Sequence, residues 1–439
     1  MVGFLTNFAI KYYMKLFLSF LITIFSSFLL TAQRLPDKVY RASIKTVKLF
    51  PRNNQSTLPV IELNALEQME LHFDDLDTYP KNYFYTYQLC NADWSEAGWS
   101  AFDYIKGFQQ NRLGIYRVSS IAQQQYVHYQ AILPERNAIP SRSGNYLLKV
   151  FQDGDTAQLL FTKRFYVVDQ QAIIGARFVQ PFDFQMMKTH QKINLLVNVP
   201  KINMISPQQY KAVILQNGRW DNASTNISPT FIRGSTLEFN AEQDCIFPAG
   251  KEYRWLDMQS FRFQSDRIEN IDRSTKPMEV NVRPDRARTN LQYLYYRDQN
   301  GFYNIMNTES LNPWWQSDYA KVNFSFIPDK EQVLHGSKVY LIGELTGNQI
   351  GDTSLMKYDA ILGMYTKQLL LKQGYYNYAY ISKDARSKNA QPENWLTEGN
   401  YWETENDYTI FFYYRSLGGR HDELIGYTIL NSYNNRSGF

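Results

Sequence analysis

Short strand-like runs joined by turn dipeptides are the feature that most limits how this chain can fold. Each run is rich in β-branched and aromatic residues, and the intervening residues include Asp-Gly, Asn-Gly or Gln-Gly. Such pairs predict β-hairpins. The three clearest pairs are 145–151 with 159–168, 291–297 with 302–306, and 365–371 with 375–381.

Helical patterning is missing from the sequence after residue 32. No long segment there repeats apolar residues with the 3.6-residue period of an amphipathic helix. The sequence therefore predicts an all-β fold of tandem antiparallel β-sandwich domains. A chain of 439 residues has room for several domains. We expect sandwiches at 33–170, 171–310 and 311–439.

The first 32 residues have the pattern of a secretory signal peptide. Lys11 and Lys15 precede an apolar run at 16–30, and Ala32 stands before a polar residue. The run is short for a bilayer-spanning helix, which needs about 20 apolar residues. We expect cleavage after Ala32, export from the cytoplasm, and no transmembrane span in the mature protein; an uncleaved anchor is the alternative.

Composition and motifs disfavour several classes of function. The formal net charge is +4 without a dense basic block, so nucleic-acid binding is not expected. The five histidines lack the short spacings of metal sites, and no phosphate-binding loop or nucleophile elbow is present. We expect a protein that is not an enzyme and has no catalytic residues, metal, cofactor or small-molecule substrate.

Cys90 and Cys245 are the only cysteines. In an oxidising compartment they could form a disulfide. They could equally be two buried thiols that pack as small apolar residues. The sequence leaves both possibilities open.

Two stretches contain candidate residues for a protein interface. Trp314 and Trp315 lie in a predicted linker, and tryptophan is enriched at interaction hot spots. The turn-rich segment 281–290 contributes Arg283, Arg286 and Arg288. We expect these five residues to be a partner interface; the alternatives are core packing for the tryptophans and a solvated loop for the arginines.

A series of motifs, in order along residues 35–430, resembles the plug-protein family of the type IX secretion system of Bacteroidetes-type bacteria. The longest is YTYQLCNADW at 85–94, and another is LKQGYYNY at 371–378. Ala249 departs from the family pattern, which has glycine there. The remaining matches are at 143–150, 247–254, 295–301, 317–324, 398–400, 404–408 and 413–415.

The resemblance implies a periplasmic β-sandwich protein associated with the outer-membrane complex. Its expected partner is the large outer-membrane translocation channel of the type IX system, and its expected role is to dock on the periplasmic mouth of that channel and close it. Such a plug needs a rigid body and a separable interface, and needs no catalytic residue.

The C-terminal domain also resembles immunoglobulin-like glycogen-binding modules. Those modules stack sugar on a tryptophan in a loop that corresponds here to residues 346–352, which contain no aromatic residue. A periplasmic or surface glycan-binding protein is therefore the alternative function. Strand alternation places Tyr376, Tyr378 and Tyr380 on one face, and we expect this row to pack between two sheets with its hydroxyls at the rim.

Overall fold

The computed structural model describes residues 35–202, 206–329, 336–387 and 390–434. The predicted signal peptide lies outside these residues. The described part of the chain is almost entirely β-structure, as predicted, in tandem sandwiches whose strand pairs are mostly antiparallel. None of its helices is both long enough and apolar enough to cross a bilayer.

The first sandwich comes from residues 38–168. Its strands are β1 (Lys38–Val39), β2 (Ile44–Pro51), β3 (Val60–Glu62), β4 (Met69–Asp75), β5 (Tyr83–Cys90), β6 (Ile105–Gly107), β7 (Asn111–Arg112), β8 (Ile115–Val118), β9 (Val127–Leu133), β10 (Ala138–Pro140), β11 (Gly144–Gln152) and β12 (Leu159–Val168), with helix α1 (Ala101–Tyr104) after β5.

Two sheets of this first sandwich enclose its core. One has the order β1-β12-β11-β5-β7, with β3 beside β12, and the other has the order β2-β4-β9-β8. Leu71 and Phe73 from one sheet pack with Tyr85, Leu148 and Phe161 from the other. The hairpin predicted at 145–168 is confirmed, because β11 and β12 pair antiparallel along their length.

The remaining described residues form two further sandwiches. Their strands are β13 (Ile173–Val179), β14 (His190–Asn198), β15 (Tyr210–Gln216), β16 (Ser224–Ile227), β17 (Phe231–Arg233), β18 (Thr236–Phe239), β19 (Ile246–Pro248), β20 (Arg254–Asp257), β21 (Ile268–Asp272), β22 (Met278–Val282), β23 (Asp285–Arg286), β24 (Tyr303–Ile305), β25 (Tyr319–Ile327), β26 (Ser337–Ile342), β27 (Lys357–Asp359), β28 (Met364–Lys372), β29 (Gly374–Asp384), β30 (Asp407–Tyr414) and β31 (Glu423–Asn431).

Among the described residues after 170, helical structure is limited to short pieces. Helix α2 (Pro313–Gln316) precedes β25, and single 3₁₀ turns occupy Pro207–Gln209 and Glu344–Thr346.

The middle sandwich is completed by β30 and β31, the last two strands that the structure describes. Its sheets have the orders β13-β14-β18-β17, with β19 beside β14, and β16-β15-β30-β31. Tyr408 and Ile410 therefore pack in the same core as Ile193 and Ile214.

The third sandwich takes strands from both sides of residue 310. Its sheets are β20-β29-β24, with β26 beside β29, and β21-β22-β25-β28-β27, with β23 beside β25. The predicted limits at 310 and 439 thus do not coincide with the cores. Strand β30 forms hydrogen bonds with the backbone groups along β15, so it belongs to the middle sandwich. Leu256 and Val280, which precede residue 310, belong to the third core.

Two of the predicted hairpins are wrong. Strands β28 and β29 lie in opposite sheets of the third sandwich, so the chain crosses between sheets at Lys372 and Gln373, both of which are buried. Residues 291–297 form no strand; instead the hydroxyls of Tyr293 and Tyr296 bond to Glu252, the former to its side chain and the latter to its backbone carbonyl.

The tyrosine row of β29 packs between the sheets, as expected. Tyr376, Tyr378 and Tyr380 are 0–2% exposed and belong to the third core. The expectation that their hydroxyls reach the rim is wrong. Those of Tyr378 and Tyr380 donate to buried Asp285, at 2.8 and 2.9 Å, and that of Tyr376 donates to the Lys372 carbonyl at 2.6 Å.

Candidate interaction surface

Helix α2 carries both predicted interface tryptophans between the first and third sandwiches. Asn312 caps it, because its Oδ1 accepts a hydrogen bond from the Trp314 backbone amide at 2.9 Å. Pro313 occupies the first helical turn, where its missing amide hydrogen costs nothing. This Asn-Pro start fixes where the two indole rings emerge.

Trp314 lies inside the contact between two sandwiches. Its ring stacks on His72 with centroids 3.8 Å apart and an interplanar angle of 5°, and Phe50 stacks at 6.0 Å. Trp314 also packs against the third core. It is partly buried and joins the first sandwich to the third.

A row of hydrogen-bonded polar side chains lies against the Trp314 ring. Glu70 contacts His72 at 3.2 Å, His72 contacts His128 at 3.0 Å, and the Nδ1 of His128 lies 2.7 Å from Asp74 Oδ1. The other oxygen of Asp74 accepts hydrogen bonds from Lys372 and Tyr319 of the third sandwich. One aspartate of the first sandwich is thus held by two residues of the third.

Burial and neighbouring charges shift the pKa values of these hydrogen-bonded side chains. Burial lowers the pKa of His128 to about 4, although its bond to Asp74 opposes the change. Burial also lowers the pKa of Lys372, against the attraction of Asp74. Burial alone would raise the pKa of Asp74, but Lys372 and His128 hold it below its usual range. The neutral His128 beside the Asp74–Lys372 pair is the state that this geometry favours.

These residues resemble catalytic machinery but are closed to substrate. His72 is 5% exposed, His128 is 1% exposed, and Asp74 and Lys372 are fully buried. Buried charges that are paired and hydrogen-bonded at a contact specify its geometry. We therefore interpret them as an inter-sandwich connection.

The connection is not predicted from the histidines alone, because they are scattered along the sequence. However, Glu70, His72 and Asp74 alternate along β4 and so share one face. Strand β9 then brings His128 opposite Asp74. The alternation of polar residues within an apolar strand is the signal that could have found it.

Trp315 borders an exposed apolar strand at the edge of the first sandwich. The guanidinium of Arg117 lies 5.3 Å from the Trp315 ring centroid, and the Trp315 carbonyl accepts a hydrogen bond from the Ser120 amide at 3.0 Å. Strand β8 pairs only with β9 in the described part of the chain, so its outer edge has unpaired backbone groups. We call this surface the Trp315 edge; it comprises Ile115, Tyr116, Arg117, Val118, Ile121 and Trp315.

The apolar side chains of the Trp315 edge are well exposed. Ile115 is 54% exposed, Tyr116 46%, Val118 50% and Ile121 74%. Exposed apolar residues beside Trp and Arg are typical of protein-binding surfaces. An open strand edge can also accept a further strand from a partner.

The three predicted interface arginines have different environments. Arg283 and Arg286 are exposed. Arg288 is partly buried, and its Nε donates to Glu398 at 2.6 Å. Burial would raise the pKa of Glu398, but Arg254 and Arg288 lower it to about 2. The contacts of these arginines are separate from those of the tryptophans.

The two cysteines and the possible metal ligands are the remaining candidate residues. Cys90 and Cys245 are buried free thiols, and burial raises the pKa of each to about 12. Among the described residues, no group of three His, Cys, Asp or Glu side chains could hold a metal ion.

The fold and these contacts define a multi-sandwich protein whose sandwiches are joined by buried polar bonds and whose first sandwich presents an exposed strand edge. Residues 44–169 match the first domain of type 9 secretion system plug proteins. The first sandwich of this chain therefore carries the first domain of the plug protein family.

A solved structure extends the similarity along the chain. The crystal structure at 2.30 Å of a hypothetical protein from Parabacteroides merdae ATCC 43184 is 32% identical, with a TM-score of 0.85. The match covers 90% of this chain and 98% of that one. No curated protein gives a significant match.

Proposed function

We propose that this protein docks on the periplasmic mouth of the large type IX translocation channel and closes it. The match of residues 44–169 to the plug protein domain supports a role in type IX secretion and an association with the cell envelope. A plug must resist deformation, because a flexible chain of domains would let solutes pass. Docking would also require a surface that can bind a partner reversibly.

The observation that carries this proposal is the set of buried bonds between sandwiches. Besides the Asp74 connection, the Tyr413 hydroxyl of the middle sandwich donates to Asn145 of the first at 2.8 Å. The rings of Tyr166 and Phe411 stack at 4.3 Å across the same contact. Apolar packing with satisfied polar groups is typical of permanent contacts.

We further propose that the Trp315 edge contributes to docking. The alternative site, a glycan platform on the tyrosine row, is disfavoured because those rings are buried. A charged residue in an apolar contact costs several kcal/mol unless it finds a partner. Ile121 suits a test because its side chain is mostly in solvent.

Co-purification tests this proposal. A tagged protein extracted from envelopes in gentle detergent should recover a channel-sized outer-membrane partner. Ile121→Asp should reduce the recovery about tenfold or more, consistent with loss of ~1.4 kcal/mol or more of binding. Ile361→Asp is the matched control, since Ile361 is 96% exposed on the third sandwich. If the wild-type protein migrates alone, the docking proposal fails; if both variants retain the partner, the Trp315 edge is not the contact.

A further inference from the structure

A cavity of about 920 Å³ lies where all three sandwiches meet. The loop after β2 contributes Ser56, the third sandwich contributes Asp298 and Tyr375, and the middle sandwich contributes Glu405 and Asp407. Its size is within the range of small-ligand sites, about 300–1,000 Å³, which often occur at domain interfaces.

Two carboxylates stand side by side in this junction cavity. The Asn300 Nδ2 donates to both Glu405 and Asp407, at 3.2 Å to the nearer oxygen of each. Asn431 Nδ2 also donates to both, at 2.8 Å to Asp407. In the part of the chain that the structure describes, neither carboxylate has a cationic side chain within 4.0 Å. Arg297 lines the cavity but is itself exposed.

Unmet hydrogen-bond acceptors give a second, independent sign of a ligand. Asn300 is only 7% exposed, lines the cavity, and its Oδ1 has no hydrogen-bond partner among the described residues. The Oε1 of Gln299, also in the lining, is in the same condition. Buried polar atoms without a partner are rare and costly. A ligand that completes this site must therefore donate hydrogen bonds.

An aromatic pair forms the rim of the cavity. Tyr295 and Tyr433 stack with centroids 4.9 Å apart and an interplanar angle of 11°. Tyr295 is 42% exposed and Tyr433 50%, so part of each ring faces solvent and a flat group can approach the Tyr295 ring. Planar guanidinium groups stack on aromatic faces and bind carboxylates through two parallel hydrogen bonds.

The pKa shifts show that negative charge in this cavity is poorly compensated by the protein. Burial raises the pKa of Glu405, and the charge of Asp407 adds to this effect. Burial raises the pKa of Asp298 to about 8, although backbone amides of Asn300 and Tyr253 donate to it. A bound cation would relieve this repulsion and favour the ionised carboxylates.

We propose that the junction cavity binds an arginine side chain of a partner protein, with its guanidinium held by Glu405 and Asp407 and covered by Tyr295 and Tyr433. The site is distinct from the Trp315 edge and does not depend on the proposed closure of a channel. Because it is built from all three sandwiches, an occupant would also favour their joined arrangement.

Calorimetric titration of the full chain with arginine amide tests this proposal. Citrulline amide is the matched probe, because it keeps the shape of arginine without the charge. We expect arginine amide to bind at least about tenfold more tightly than citrulline amide, a difference of ~1.4 kcal/mol. Asp407→Asn should weaken arginine amide about tenfold, whereas Glu269→Gln, an exposed change on the third sandwich, should not alter it.

A second variant keeps the test decisive if Asp407→Asn impairs folding. Tyr295→Ala removes a partly exposed rim residue and should weaken arginine amide about threefold, with an unchanged melting temperature. Equal binding of the two probes, no binding of arginine amide, or unchanged affinity in Tyr295→Ala and Asp407→Asn would overturn the proposal. Binding of cellobiose in preference to arginine amide would overturn it as well, and would favour a glycan site.

Discussion

At the scale of single residues, Asp74 shows how one side chain can determine the relation between two sandwiches. It is fully buried and accepts hydrogen bonds from His128, Lys372 and Tyr319. Two of these donors come from the third sandwich. Removing a single partner from such a group leaves a buried charge without compensation, which is far more costly than the loss of a surface ion pair.

We therefore predict that Lys372→Met destabilises the protein by ~3–5 kcal/mol, because Asp74 loses its cation in a buried site. Chemical denaturation followed by tyrosine and tryptophan fluorescence measures this change. The control is Lys321→Met, since Lys321 makes a partly exposed ion pair with Glu279 at 3.8 Å. The control should cost less than about 1 kcal/mol. Equal effects in the two variants would mean that the Asp74 connection does not hold the sandwiches together.

Because His128 is buried, we predict that the free energy of unfolding depends on pH. The pKa of His128 in the folded protein is lowered to about 4, from an ordinary value of 6.5, chiefly by burial. Since the unfolded chain binds the proton more readily, the contribution of His128 is complete above pH 6.5 and is lost as the pH falls towards 4. The loss is of the order of 3 kcal/mol.

Thermal unfolding between pH 7 and pH 4.5 measures this dependence. The melting temperature of the wild-type protein should fall with the pH across that window. In His128→Gln the fall should be shallower, because the titrating ring is gone, although the variant is less stable at pH 7. Parallel curves for the two proteins would show that other groups cause the acid sensitivity.

At the scale of elements, the turn sequence at 372–374 illustrates what the sequence can and cannot predict. The strands on either side were located correctly, because their alternation and composition are local properties. Their pairing was predicted incorrectly, because Lys-Gln-Gly can end a hairpin or begin a crossover. The choice depends on Asp74, Asp318 and Asn304, which are distant in sequence and bond to or pack against this turn.

The close approach of β24 and β29 at Gly374 can be tested by substitution. A Cβ atom at this position would lie 2.4 Å from the carbonyl oxygen of Asn304 in the neighbouring strand, closer than any real contact allows. Gly374→Ala should therefore force β24 and β29 apart and cost ~1–3 kcal/mol. Gly351→Ala is the control, since nothing lies within 4 Å of its added Cβ. A loss of stability no larger than that of the control, in urea unfolding, would contradict the close packing of these strands.

At the scale of the whole molecule, the fold class could be predicted from the sequence and the division into sandwiches could not. Strand propensity and turn residues are local properties of the sequence, so the fold class follows from them. The plug-protein resemblance rests on nine motifs spread along the chain. The boundary near 310 failed because β30 returns to β15 across almost 200 residues, and no local signal marks that pairing. Of the candidate interface residues, Trp315 borders an exposed edge, whereas Trp314 and Arg288 make contacts within the protein. Their role in binding a partner stays a prediction.

We propose that a rigid body, formed by these joined sandwiches, closes a protein channel of the outer membrane. The permeability of the envelope to a large, normally excluded antibiotic, compared in cells with and without the protein, tests this role. We expect increased uptake on deletion, and restoration by the wild-type protein but not by Ile121→Asp at equal abundance. Unchanged uptake on deletion, with the secretion channel still present in the membrane, would show that the protein does not close the channel.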